Sequence, residues 1–177
     1  MKVLKYLGLG LLILIVLLAL VGLLLPSTYH VERSISIKGK SADVFQYINN
    51  LKTWPDWTVW NAAKYPDLKQ EFHEPSSGAG ASYSWTSKQT GDGTMKLVSA
   101  DPEKGIAYEL DFEHGKYPSK GVIKTEAAGD SVKVTWTNEG ELGMNPIGRY
   151  FGLMMDSFLG PDFQKGLENL KEKVEKK

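Results

Sequence analysis

Three acidic side chains, Glu109, Asp111 and Glu113, recur at every second position. On a strand that spacing sets them along one face, where they could hold a hard cation or flank a reacting group. The residues beside them, Tyr108, Leu110 and Phe112, are all apolar or aromatic. Alternation sends one set inward and the other outward. Burying the acids would gather three like charges, with no basic partner on that face, in a poor dielectric, so they are assigned to solvent. The three histidines offer a base near neutral pH. However, His73 and His114 adjoin turns, His30 lies just beyond the apolar N-terminal run, and no serine stands in a nucleophile elbow. The chain has no cysteine, which excludes thiol catalysis, disulfides and zinc–thiolate centres. Gly91 and Gly93 lack the strand–turn–helix setting of a dinucleotide loop. No metal and no cofactor is expected. Basic and acidic residues balance at 21 each, which argues against nucleic acid as a partner.

The remaining chemistry is apolar. Trp57, Tyr83, Trp85, Tyr108, Phe112 and Trp136 fall on helical stretches or apolar strand faces, and with Met155 they are the candidate lining of a hydrophobic ligand site. Taken singly, each reads more simply as core packing. As a set, they face a space that one sheet and one helix leave to be filled or occupied. Met95, Met144 and Met154 add adaptable side chains nearby. Trp54, Trp57 and Trp60, spaced by three, suit a short helical turn and could form a mouth or sit near a membrane. Arg33 and Arg149 are candidate contacts for an anionic head group, although each reads more simply as an ion-pair partner of Glu139 or Glu141. Tyr83 and Tyr108 are the inward groups on which an enzymatic reading would depend.

Stepping outward from these residues, alternation marks strands at 29–37, 68–72, 81–86, 94–99, 107–113, 119–125 and 131–137. Short polar linkers such as Gly129-Asp130 favour antiparallel neighbours. Ser41 is placed as the cap of a short helix with Val44, Phe45 and Ile48 inside. Residues 140–150 read as a loop and possible lid. Beyond it Phe151, Met155, Phe158, Phe163, Leu167, Leu170 and Val174 form the stripe of a long terminal helix, which Gly160-Pro161 is expected to kink or break.

Residues 6–25 carry no charge and at about 1.5 Å per residue would span roughly 30 Å, the thickness of a bilayer core. The run is long for a signal peptide and ends without a small-x-small site. It therefore reads as an N-terminal transmembrane helix. Lys2 and Lys5 keep the N-terminus cytoplasmic, so the rest is extracytoplasmic on a single-pass membrane protein. The chain divides into a membrane anchor, 1–26, and one domain, 27–177.

The strand Val31 to Ile37, the helix opening Ser41-Ala42-Asp43-Val44-Phe45, the Trp54 and Trp57 pair, and the segment Gly160 to Lys171 together resemble the polyketide cyclase/dehydrase-like branch of the START-like (SRPBCC, helix-grip) superfamily. The resemblance implies an α+β fold in which a seven-stranded curved antiparallel sheet grips the C-terminal helix around an elongated apolar cavity. It implies no catalytic residue set. The expected function is binding of a hydrophobic or amphipathic small molecule, lipid-like or aromatic, by a domain anchored through residues 6–25 in a lipid bilayer. A cyclase or dehydrase acting on a hydrophobic substrate, and a ligand-free interaction module of the cell envelope, are the alternatives.

Overall fold

The computed structural model describes residues 2–113, 115 and 117–176. His114 and Lys177 lie outside the described residues. Strands β1 (Thr28–Lys38), β2 (Lys69–His73), β3 (Ser82–Thr86), β4 (Gly93–Asp101), β5 (Gly105–Phe112), β6 (Tyr117–Ala128) and β7 (Ser131–Glu141) form one antiparallel sheet in the order β1-β7-β6-β5-β4-β3-β2. Strands β2 to β7 follow one another as hairpins, and β1 closes onto β7 in a register from Thr28 opposite Glu141 to Lys38 opposite Ser131. The two strands nearest in sequence at the start, β1 and β2, thus lie at opposite edges. The chain crosses between them through α2 (Ser41–Ile48) and a 3₁₀ turn, Leu51–Asp56.

The period-two pattern fixes which side of each strand is covered. In β7, Val132, Val134, Trp136 and Asn138 are buried, whereas Lys133 and Glu139 are exposed. Glu109 and Asp111 face solvent, and Tyr108 is buried. A register shift between Leu97 and Ser99 in β4 turns Val98 outward, as one extra residue in a ladder does.

The cover is α3 (Pro146–Glu175), which lies against β1 and α2. Its start is later defined by chemistry than by pattern. The Asn145 side chain accepts the Ile147 N–H at 3.0 Å, and Pro146 takes the first helical position, where a missing N–H costs nothing. Strand β7 runs four residues past the expected end, to Glu141. The expected 140–150 loop is therefore reduced to residues 142–145. Nor does Gly160-Pro161 break the helix, which is continuous to Glu175. Pro161 is on the exposed side, and the carbonyl it leaves free belongs to exposed Ser157. The inner stripe also differs. Met155, Leu159, Phe163, Leu167, Leu170 and Val174 face the sheet, at steps of four, four, four, three and four, whereas Phe151 and Phe158 are more than half exposed. Ser41 is the first residue of α2 and not its cap. Lys40 holds that position, its N–H donating to the Asp43 carboxylate at 3.0 Å.

At the N-terminus, α1 (Lys2–Leu24) contains 22 residues, Val3–Leu24, long and apolar enough to cross a membrane. Its last turns touch the domain. A Cβ on Gly22 would strike Pro146, the Tyr150 hydroxyl donates to the Leu18 carbonyl at 2.9 Å, and Arg149 donates to the carbonyls of Leu23 and Leu25.

Candidate ligand cavity

Between the inner face of the sheet and α3 lies a cavity of about 580 Å³. Strand β3 contributes Tyr83 and Trp85, β5 Tyr108 and Phe112, β7 Trp136 and Asn138. Helix α3 contributes Met155 and Phe163 from the other side. So much aromatic volume would close the space if the rings projected across it, and the ladder register shows why they do not. Trp85 stands opposite Gly93, Tyr108 opposite Gly121 and Tyr29 opposite Gly140. In each pair the ring occupies the place a glycine Cβ would take on the neighbouring strand. The rings therefore lie along the sheet, covering backbone that has no side chain of its own.

One region of the cavity wall is polar. The Trp136 Nε1 donates to the Tyr108 hydroxyl at 2.8 Å, and the Trp136 indole stacks on Phe163 at 4.2 Å and 7°. The Tyr29 hydroxyl donates to Asn138 Oδ1 at 3.0 Å, and Asn138 Nδ2 donates to the Ser119 hydroxyl at 3.5 Å. Burial pushes the phenols of Tyr83 and Tyr108 far above their ordinary value, and Tyr29 upward as well, because a phenolate would be stripped of water there. All three remain neutral hydroxyls across the physiological range. Elsewhere Tyr83, Trp85 and Phe112 follow along the wall at centroid spacings of 5.6 and 5.1 Å, with Phe72 packed on Tyr83 at 5.4 Å. At the rim stand Glu113, which turns there with a φ of 51°, and Glu141, Leu142, Ile147 and Phe151.

Six of the seven residues expected to line the site do line this cavity: Tyr83, Trp85, Tyr108, Phe112, Trp136 and Met155. Trp57 does not. It is fully buried behind Trp54 and Trp136, at 5.1 and 5.2 Å, and its Nε1 has no hydrogen-bond partner among the described residues. The 3₁₀ turn ends at Asp56, so the spacing of three fails at Trp57, whose φ of −127° turns it into the core. Trp54 and Trp60 take the lining positions instead. The two arginines are also elsewhere. Arg33 pairs with Asp156 of α3 at 2.7 Å, where the guanidinium lies over Gly160 and holds the Asp156 carboxyl below its usual range. Buried Arg149 donates to the Gly143 carbonyl at 2.9 Å and to the end of α1. Neither pairs with Glu139 or Glu141. Met95 lines the cavity, but Met144 and Met154 are exposed. Exposed His73 has its Nε2 3.3 Å from the Ser84 hydroxyl on the outer face, and His30 lies near Glu32 and Glu139.

Tyr29, Ser119 and Asn138 were not anticipated. Asn138 continues the alternation of Val132, Val134 and Trp136 by one step, and that continuation is the signal that would have found it.

A family model described as polyketide cyclase / dehydrase and lipid transport matches residues 28–175. No curated protein matches the chain in sequence. Among solved structures, the di-domain ARO/CYC StfQ from the steffimycin biosynthetic pathway is similar with a TM-score of 0.65 at 12% identity, over 84% of this chain and 51% of that one, so this chain spans about half its length. A Thermobifida fusca protein is similar with a TM-score of 0.61 at 16% identity, covering 82% and 92% of the two chains. For Ara h 8.0201 the values are 0.55 and 14%, covering 85% and 99%. At such identities these likenesses show a common fold.

Proposed function

The chain belongs to the polyketide cyclase/dehydrase and lipid-transport family, and from that premise we propose that it is a membrane-anchored, extracytoplasmic binding domain for one elongated amphipathic molecule. The cavity carries this reading. Its volume of about 580 Å³ lies within the range of roughly 300–1,000 Å³ typical of small-molecule sites, and its apolar walls converge on a few polar groups. Tyr83, Trp85, Phe112 and Met155 would hold the apolar body. The Tyr29, Tyr108 and Asn138 cluster would receive a hydroxyl or carbonyl. The 22-residue run of α1, at about 33 Å, supports the anchor, and Lys5 on its N-terminal side supports a cytoplasmic N-terminus.

A cyclase or dehydrase would need a group that exchanges protons near neutral pH. The buried titratable groups lining the cavity, among the described residues, are tyrosines held neutral by burial, which suits hydrogen bonding to a bound molecule better than proton transfer. The test is saturable binding of a dansylated C11 fatty acid to the full chain in detergent, read by dansyl emission. One-to-one binding, weakened at least tenfold in the cavity-filling double variant Leu110→Trp/Met155→Trp at unchanged melting temperature, is expected. Equal binding by the two proteins would refute the cavity as the site.

A further inference from the structure

We propose that the first turns of α3 are docked into the bilayer, with the cavity mouth opening onto lipid, so that the ligand is a membrane lipid or lipid-soluble molecule exchanged without passing through water. This rests on the reading of α1 as a membrane anchor. Leu18, whose carbonyl accepts from the Tyr150 hydroxyl at 2.9 Å, lies six residues before the end of α1, about 9 Å down its axis. A helix of this length crossing a hydrocarbon core of about 30 Å has no spare length to raise Leu18 out of it. Tyr150 therefore reaches below the membrane surface. The attachment is specific: Gly22 lets Pro146 and Tyr150 close in, and Arg149 donates to the carbonyls of Leu23 and Leu25.

The surface carried there suits lipid. From Leu142 to Met155 the single charged residue is Arg149, which is buried and occupied by carbonyls. Ile147 is 67% exposed and Phe151 57%, with Met144, Leu153 and Met154 exposed beside them. So many apolar side chains grouped on a soluble face mark an interaction site. Here the continuity with α1 identifies the occupant as the bilayer that α1 crosses. Ile147 and Phe151 belong at once to this surface and to the rim of the cavity, so whatever covers the surface also faces the mouth.

The chain has no native cysteine, so single labels can be placed without background. Full chain carrying an environment-sensitive NBD dye at Leu12→Cys, Phe151→Cys or Lys96→Cys is reconstituted into phosphatidylcholine/phosphatidylglycerol vesicles with or without acyl-chain doxyl lipid. Lys96 is exposed on the outer face of the sheet. Quenching at Leu12 and Phe151, at least threefold above that at Lys96, is expected. Quenching at Leu12 with none at Phe151 would overturn the docking and leave the anchor standing. No quenching at either would overturn both. A blue-shifted but unquenched Phe151 label would show that protein, such as a second copy of this chain, covers the surface, and would also overturn the proposal.

Discussion

Gly121→Ala adds one methyl group where the structure has the least room for it. The new Cβ would occupy the same space as the Tyr108 ring, which lies over Gly121 across the β5–β6 pair. The ring can only move inward, toward the cavity. Overpacking of that kind costs about 1–3 kcal/mol. The displaced hydroxyl also leaves the Trp136 Nε1, 2.8 Å away and part of a side chain only 1% exposed. A buried donor without an acceptor costs about 1–3 kcal/mol more. The sum is about 2–6 kcal/mol, which for a domain of this size lowers the melting temperature by roughly 4–24 °C. Tyr108→Phe isolates the second contribution at about 1–3 kcal/mol. Because the hydrogen bond can be lost only once, the double variant should be less destabilised than the two single effects added, by about 1–3 kcal/mol. Urea denaturation of the full chain in detergent, followed by tryptophan fluorescence, measures all three. A Gly121→Ala protein within about 0.5 kcal/mol of the parent, the range of an ordinary surface change, would refute the claim that this glycine is the seat of the tyrosine ring.

Other substitutions test other contacts. Tyr29→Phe removes the hydrogen bond to Asn138 and should weaken binding of a hydroxylated or carboxylated ligand several-fold while leaving a plain hydrocarbon unaffected, as isothermal titration of the two would show. The Asp156 carboxyl is held low mainly by its hydrogen bond from Arg33. A depressed folded-state value means that its stabilisation is present above about pH 4 and is lost as pH falls through the folded value. Asp156→Asn should therefore flatten the acid limb of the stability profile, and an unchanged limb would exclude the pair as its source. Arg149→Met removes the donors to Leu23, Leu25 and Gly143, and should speed protease cleavage near Pro26 at least tenfold without altering cleavage elsewhere in the domain.

The strands were legible in sequence wherever one face was plainly apolar, as at Tyr83 and Trp85 or at Val132, Val134 and Trp136. The cavity lining followed from the same alternation. Strand ends were lost where the inward residue was polar or had no side chain: Asn138 and Gly140 continue the buried face of β7, yet neither reads as core. Trp57 was misplaced because a period of three presumes a turn that continues, and this one stops at Asp56. Asp156, which pairs with Arg33, and the Leu23 and Leu25 carbonyls, which accept from Arg149, lie more than a hundred residues away in sequence, and no local pattern encodes such pairs. Nor does composition tell that glycines opposite Trp85, Tyr108 and Tyr29 keep the cavity open. That depends on ladder register, which only the assembled sheet supplies.

If the space between sheet and α3 holds a small molecule, that molecule can be recovered with the protein. Full chain purified in detergent, washed by detergent exchange and extracted with organic solvent, can be compared by mass spectrometry with the Leu110→Trp/Met155→Trp protein treated identically. An amphipathic compound near one equivalent is expected in the first extract, and its depletion in the second. The same compounds in equal amount from both proteins, or none approaching one equivalent from either, would contradict a ligand in that space.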